Sequence, residues 1–334
     1  MKNIIMRAYV VESFGQPGVV KTDLPVQQPK SHELLIEVHA SGVNPVDAKI
    51  AGGLFETAAP TLPATIGMDM SGVVVGIGRD VKGFALGDEV YGCVGGLKGR
   101  PGTLAEYVVA DARLVALKPK SLSMRQAAAL PLVCITAWEG LIDRAKITKG
   151  QTVLVHSGAG GVGHVAIQIA KAFGANVYTT VSTPEKQKIA HDFGATAIPY
   201  HEISVADYVM KFTNNKGFDV VYDTVGGQVF EDSATATKRN GKLISCAGWG
   251  MHDLTSILGR SLDLIGIFMA LTLLTDEKIE RHGDILREMT PLIESGQLCP
   301  VLDPKHFTLE TVVQAHEHLL SGKAVGKIVV DIKV

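Results

Sequence analysis

Three glycines, Gly158, Gly160 and Gly163, stand at G-x-G-x-x-G spacing in the stretch "LVHSGAGGVGHVAIQIAKAFGA". The apolar run "TVLVH" ahead of them reads as a buried strand. Behind them Val162, Val165, Ala166, Ile169 and Ala170 recur at i, i+3, i+4, i+7 and i+8, which is one face of a helix. Gly174 stands where that helix should stop. Strand, glycine turn and helix in this order make an anion site. The first glycine permits the tight turn, the second lets backbone approach a pyrophosphate, and the third lets helix and strand pack closely. The helix start adds free N–H groups and a partial positive charge. The backbone of Gly158, Ala159, Gly160, Gly161, Val162 and Gly163 is therefore expected to hold the phosphates of a dinucleotide. A second run, "GVVVGIG" (72–78), has no helical pattern behind it and reads as a bend in a β-rich region.

The next strand, "NVYTTV", ends near Val181. A ribose with a free 2′-hydroxyl usually meets an Asp or Glu at such a strand end. Here Ser182 and Thr183 follow, then Pro184, Glu185 and Lys186. Hydroxyls donate to a 2′-phosphate and Lys186 neutralises it, so NADPH is expected in preference to NADH. The alternative for Lys186 is a solvated place in the first turn of the following helix. Tyr200, after the third strand of this part, is a further candidate beside the adenosine.

These elements sit in a chain of 334 residues, long enough for two domains. Apolar residues make up 46% and charged residues 20%, a balance suited to packed domains and not to disorder. The formal net charge of −2 gives no electrostatic reason to expect nucleic acid or an anionic membrane as partner. No secretory h-region stands at the start, and "LIGIFMALTLL" (264–274) is too short to span a bilayer. Cys93, Cys134, Cys246 and Cys299 lie far apart with no C-x-x-C pair and read as reduced thiols, so a cytoplasmic location is expected. Residues up to about 120 form short Gly-, Pro- and Val-rich runs, a β-rich texture. From about Leu130 strands and helices alternate, the pattern of a parallel sheet with crossover helices. The end, "TLETVVQAHEHLLSGKAVGKIVVDIKV", reads as helix, turn and strand.

"GQTVLVHSGAGGVGHVAIQIAK" resembles the quinone oxidoreductase/zeta-crystallin branch of the medium-chain dehydrogenase/reductases, in its Gly150-Gln151 start, Leu154, the glycine block, Gln168 and Lys171. The likeness extends over the whole chain, through "SGVNPVDAKIAGG", "GDEVYG", "AAALPLVCITAWEGL" and "GKAVGKIVV". It implies an α/β protein with a discontinuous GroES-like β-rich domain, residues 1–126 and 271–334. Between these parts it implies a Rossmann NADPH-binding domain, 127–270, of doubly wound parallel sheet, with the nicotinamide in the cleft between domains. It also suggests a homodimer.

Zinc-dependent relatives place metal ligands where this chain has Asn44, Met68-Asp69 and Leu132, and a four-cysteine lobe where it has only Cys93. An amide, a thioether and an alkyl chain make no zinc site, so no metal is expected. His316 and His318, two apart on a helix, point in different directions. Without a Lewis acid to stabilise an alkoxide, hydride transfer is expected to favour acceptors that spread negative charge through a conjugated system. Quinones and α,β-unsaturated carbonyls are of this kind, and fixed donors would hold the oxyanion formed.

By resemblance Asn44 opens a loop near the nicotinamide and donates to the substrate oxygen; its rival role is a turn residue before Pro45. Thr136 matches the position that packs on the nicotinamide, with a helix start as rival. Lys49 and Phe55 stand where quinone-reducing relatives carry tyrosines. Lys49 is a candidate electrophilic donor, or a solvated rim residue. Cys246, Ala247 and Gly248, with Phe268 and Met269 in "GIFMA", are expected by the carboxamide through their backbones. Lys323 and Lys327 are expected at the cofactor phosphates or on the surface. The reaction expected is NADPH-dependent reduction of a quinone or other conjugated carbonyl. The alternatives are an enone, enal or enoyl-thioester reductase, and a non-catalytic NADPH-binding protein of crystallin-like or RNA-binding type.

Overall fold

The computed structural model describes residues 4–333. The chain opens with strands β1 (Ile5–Val11), β2 (Val19–Pro25) and β3 (Glu33–Gly42), helix α1 (Pro45–Ala51), and strands β4 (Ala64–Thr65), β5 (Asp69–Ile77), β6 (Glu89–Cys93), β7 (Tyr107–Asp111) and β8 (Val115–Leu117). Helices α2 (Met124–Ala128) and α3 (Pro131–Trp138) follow. Then come β9 (Thr152–Val155), α4 (Gly161–Ala172), β10 (Asn176–Val181), α5 (Pro184–Asp192), β11 (Thr196–Pro199), α6 (Val205–Thr213), β12 (Phe218–Asp223), α7 (Gln228–Ala236), β13 (Thr237–Ser245), α8 (Thr255–Gly259) and β14 (Asp263–Gly266). The chain closes with α9 (Ala270–Thr275), α10 (Glu280–Glu294), β15 (Phe307–Thr308), α11 (Val312–Leu320) and β16 (Val329–Asp331).

Two compact units result. One takes the chain up to Leu132, Ala270–Ser295 and the part from Leu302 onward; the other takes Val133–Met269 and Gly296–Val301. The chain passes from the first to the second inside α3. A boundary at 126/127 would fall within α2, whose capping box joins Ser123 and Gln126.

In the first unit a sheet of order β15-β16-β3-β5-β6-β8 has β7 on β3, and β2-β1-β4 form a smaller sheet. "GVVVGIG" lies within β5 as extended strand, with only its last residue beyond it, and is not a bend. Its Gly72 is there for closeness, since a β-carbon would stand 2.1 Å from the Glu37 carbonyl oxygen on β3. The last strand, β16, pairs antiparallel with β3, Val329 opposite Gly42.

The second unit is a six-stranded sheet of order β11-β10-β9-β12-β13-β14, every pairing parallel. Its central strands β9 and β12 are largely buried, as in a sheet covered on both faces, and Leu154, Val221, Phe218 and Leu243 form its core. In chain order the sheet reads 3-2-1-4-5-6. The order therefore reverses between β9 and β12, which puts the ligand crevice of such a sheet at their carboxyl ends. The excursion Gly296–Val301 joins this unit through Gln168 of α4. That amide accepts from the Cys299 N–H at 2.8 Å and donates to the Cys299 carbonyl at 3.0 Å.

Candidate functional site

The glycine turn falls at the reversal point, between β9 and α4. Its left-handed residue is Ser157 (φ 57°), not Gly158. The tight turn is therefore made by a serine, and Gly158 is small for another reason. A β-carbon there would stand 2.1 Å from the Thr179 hydroxyl of β10, and that hydroxyl is fixed by donating to the Val155 carbonyl at 2.6 Å. Gly163 packs α4 against the turn: a β-carbon would lie 2.0 Å from the Ser157 carbonyl oxygen. Gly160 caps α4 without any side-chain cap hydrogen bond. The first-turn N–H groups of Gly161, Val162 and Gly163 thus have no side-chain acceptor, while Ala159 is buried beneath them.

Around this turn polar groups are fixed by neighbours. His156 is buried, with Nδ1 3.1 Å from the Thr180 hydroxyl, and burial holds its imidazole neutral, down to about 4. Asp223 at the end of β12 accepts from the Val225 and Gly226 N–H groups at 2.9 and 2.8 Å, and from the Ser245 hydroxyl at 2.7 Å. One carboxylate thereby organises the loops after β12 and β13.

Ser182, Thr183 and Lys186 follow β10. Thr183 is the N-cap of α5, its hydroxyl accepting from the Lys186 N–H at 3.3 Å, with Pro184 in the first turn. Lys186 is half-buried and has no ion-pair partner among the described residues. Tyr200, 48% exposed, follows β11 with its ring 4.0 Å from that of His201. Cys246, Ala247 and Gly248 follow β13. Burial pushes the Cys246 thiol up to about 12, so it stays a thiol. Phe268, beyond β14, meets Trp249 edge-on at 5.4 Å, and Met269 is buried. The fold thus brings all of these expected positions to the carboxyl ends of one parallel sheet. Thr136 is buried within α3 and not at its start. Its carbonyl accepts from the buried Tyr222 hydroxyl at 2.8 Å.

The first unit carries the others. Lys49 is exposed on the last turn of α1, and Lys323 is exposed in the turn after α11. Lys327 is neither a surface residue nor a phosphate ligand. Its ammonium, 3% exposed, lies inside the unit and donates to the Val43 carbonyl at 3.0 Å and to the Asn44 side-chain oxygen, with Asp69 at 3.4 Å. Asn44 in turn donates its side-chain N–H to Asp69 at 2.9 Å. The oxygen and one N–H of the Asn44 carboxamide are therefore engaged inside this cluster, and the residue is buried. Asp47 accepts from the Asn44 N–H at 2.8 Å, a tie that starts α1, while its other oxygen is buried without a hydrogen-bond partner. Burial, reinforced by Asp69, raises the Asp47 carboxyl to about 7 against the pull of the Asn44 N–H and the Lys327 charge.

These positions do not suit a zinc ion. Asp69 is the one charged donor among Asn44, Met68, Asp69 and Leu132, and both its oxygens are engaged, one by the Leu132 N–H at 2.8 Å and the other by Asn44 and Lys327. A divalent cation would have to sit against the ammonium. Among the described residues no three His, Cys, Asp or Glu side chains are placed to hold a metal, and no helix is long and apolar enough to cross a membrane.

Sequence reasoning missed the part played by Asp69, Lys327 and Asp223. The signal for the first was present, a carboxylate beside an abandoned ligand position. The lysine is distant in sequence, and only the pairing of β16 with β3 brings it there.

Comparison with known proteins places residues 30–120 in the alcohol dehydrogenase GroES-like domain family and 161–281 in the zinc-binding dehydrogenase family. The chain is 36% identical to the chloroplastic NADPH-dependent alkenal/one oxidoreductase of Arabidopsis thaliana, over 97% of this chain and 79% of that one. It is 33% identical to the human quinone oxidoreductase, over 97% of each. Among solved structures, an alcohol dehydrogenase superfamily protein from Novosphingobium aromaticivorans is 44% identical, with a TM-score of 0.94, over 98% of this chain and 100% of that one.

Proposed function

Because the chain belongs to the quinone oxidoreductase family of medium-chain dehydrogenase/reductases, we propose that it reduces a quinone or another conjugated carbonyl compound with NADPH and without zinc. The observation that carries this reading is the start of α4: an uncapped helix N-terminus, opened by glycines, at the reversal point of a parallel sheet. An enone or enal is as good an acceptor as a quinone on this reading, since the relative from Arabidopsis is named for alkenals and alkenones.

Bound NADPH would supply the hydride; the chain supplies position and charge. The Gly158–Gly163 backbone would take the diphosphate. Ser182, Thr183 and Lys186 would take the 2′-phosphate, with an unpaired lysine and no carboxylate to repel it, and Tyr200 would flank the adenine. The backbone from Cys246 to Gly248 and at Phe268 and Met269 would hold the carboxamide, and Thr136 would back the nicotinamide. Lys49, exposed and cationic, is proposed as the donor toward the acceptor oxygen. Asn44 is assigned to positioning the loop, since its oxygen and one amide N–H are engaged within the cluster and the residue is buried. Lys323 is a second candidate for the phosphates.

A homodimer is proposed through β14, the outer strand of the six-stranded sheet, where Leu264 and nearby Leu258 are exposed. A cytoplasmic location is proposed on the four cysteines, which form no disulfide among the described residues. The deciding experiment is NADPH consumption against a panel of quinones, enals and enones, repeated with NADH and with a chelator. NADPH-specific, chelator-resistant turnover is expected. Dependence on zinc, or tight NADPH binding with no turnover of any acceptor, would refute the reading.

A further inference from the structure

The Lys327 ammonium has three hydrogens and three acceptors: the Val43 carbonyl, the Asn44 side-chain oxygen and the Asp69 carboxylate. All three acceptors belong to, or bond to, the turn from β3 into α1. The same turn is tied by main chain, the Val43 N–H donating to the Ile328 carbonyl at 2.9 Å, next to Lys327. On the far side the Asp303 N–H donates to the Lys327 carbonyl at 2.8 Å. Lysine, backbone and turn are thus one piece.

The charges facing that ammonium are few. Asp69 comes from β5 and Asp47 from α1, with the Cys93 thiol of β6 beside them, and burial pushes that thiol well up, so it carries no charge. Asp69 is fully buried. A carboxylate there, without a counter-charge, is far more costly than a buried pair, and a buried pair is often replaceable by neutral groups at little cost. The positions that hold metal in zinc-dependent relatives are here amide, thioether and alkyl, which do not fit a metal ion that would supply the positive charge. Among the described residues the lysine is the one cation in hydrogen-bond reach of Asp69.

We propose that Lys327 is the positioning residue of the β3–α1 turn: its ammonium supplies the positive charge Asp69 requires and holds the Asn44 carboxamide and Val43 carbonyl, so that α1 presents Lys49 in one orientation. The functional consequence rests on the reading of Lys49 given above; the charge compensation does not.

The test is a double-mutant cycle of Lys327→Met, Asp69→Asn and the pair, with kcat expressed per titrated NADPH-binding site. Lys327→Met should lower kcat at least about tenfold, with KM for NADPH within about twofold of wild type. Adding Asp69→Asn should restore kcat to within about threefold, since it removes the stranded charge. Packing alone would give no such rescue. A Lys327→Met protein within about twofold of wild type, or a pair no better than that single variant, overturns the proposal. If Lys327→Met does not fold, a folded and active pair supports the proposal, and an unfolded pair overturns it. Should the wild type reduce no acceptor, the proposed reaction falls by itself. The same cycle read in Tm then decides on Lys327, with rescue supporting it and additivity overturning it.

Discussion

A β-carbon on Gly163 would stand 2.0 Å from the carbonyl oxygen of Ser157. The obstacle is backbone, which cannot swing aside, so helix α4 must lift from the turn if the residue grows. Gly163→Ala should therefore cost about 1–3 kcal/mol of stability as overpacking, along with NADPH affinity. Gly160 meets mainly the Ser157 side chain, at 2.7 Å, with its carbonyl at 3.1 Å. Gly160→Ala should leave Tm nearly unchanged and weaken NADPH about tenfold or more by blocking approach to the α4 amides. Thermal melts and fluorescence titration of both variants check this; equal effects on Tm would contradict it.

Lys186 has no carboxylate partner among the described residues, and no acid follows β10 before Glu185. Lys186→Glu should raise KM for NADPH by about tenfold or more, the value of one charge-assisted bond and an added repulsion. KM for NADH should move less than about twofold. Paired kinetics with the two cofactors decide it.

Stability should depend on pH through buried groups of opposite sign. Burial holds His156, His282 and His316 down at about 4, against 6.5 when free, with the Arg100 charge adding to the effect on His282. Above 6.5 their contribution is fully present. As pH falls from 6.5 to 4 the unfolded chain takes up protons that the folded one refuses, so stability is lost, up to about 3 kcal/mol for each histidine. Asp47 works the other way. Raised from 3.8 to about 7 by burial, it holds a proton the unfolded chain has shed, and its contribution, present below 3.8, is lost as pH rises to 7. Urea midpoints should rise from pH 4 to 6.5, and Asp47→Asn should make the rise steeper. A midpoint that is flat across this window would refute the assignment.

Tyr222 spans the second unit to hold the Thr136 carbonyl, and Gly140 leaves it room, since a β-carbon there would stand 2.8 Å from the phenol oxygen. Tyr222→Phe removes one donor from a buried acceptor and should cost about 1–3 kcal/mol. Calorimetry checks the stability, and kcat with unchanged KM for NADPH checks whether Thr136 backs the nicotinamide.

Local patterns were legible in the sequence where one short segment carries the physics. "TVLVHSGAGGVGHVAIQIAKAFGA" contains its own strand, turn, helix and stop, and β9, α4 and the left-handed Gly174 (φ 79°) follow it. The place of Lys186 in the first turn of the helix after β10, the alternative open for it, was likewise legible, because a turn and its helix are contiguous. What stayed hidden depends on partners far apart in the chain. Gly158 is small because of Thr179 on the next strand, not because of its own dihedral. Lys327 was expected at the cofactor phosphates or on the surface, and only the register of β16 against β3 turns it inward. Asn44 was read by resemblance as a substrate donor, or as a turn residue before Pro45, and the groups that engage its oxygen and one N–H lie 25 and 283 positions away.

The closing strand β16 has one more effect, on biogenesis. The turn that launches α1 is emitted from the ribosome well before its cation, which follows Asn44 by 283 positions. Until Lys327 emerges the Asp69 carboxylate lacks its counter-charge, and β3 lacks its pairing with β16. Loss of Lys327 and the strand behind it would therefore unmake a turn laid down 283 positions earlier.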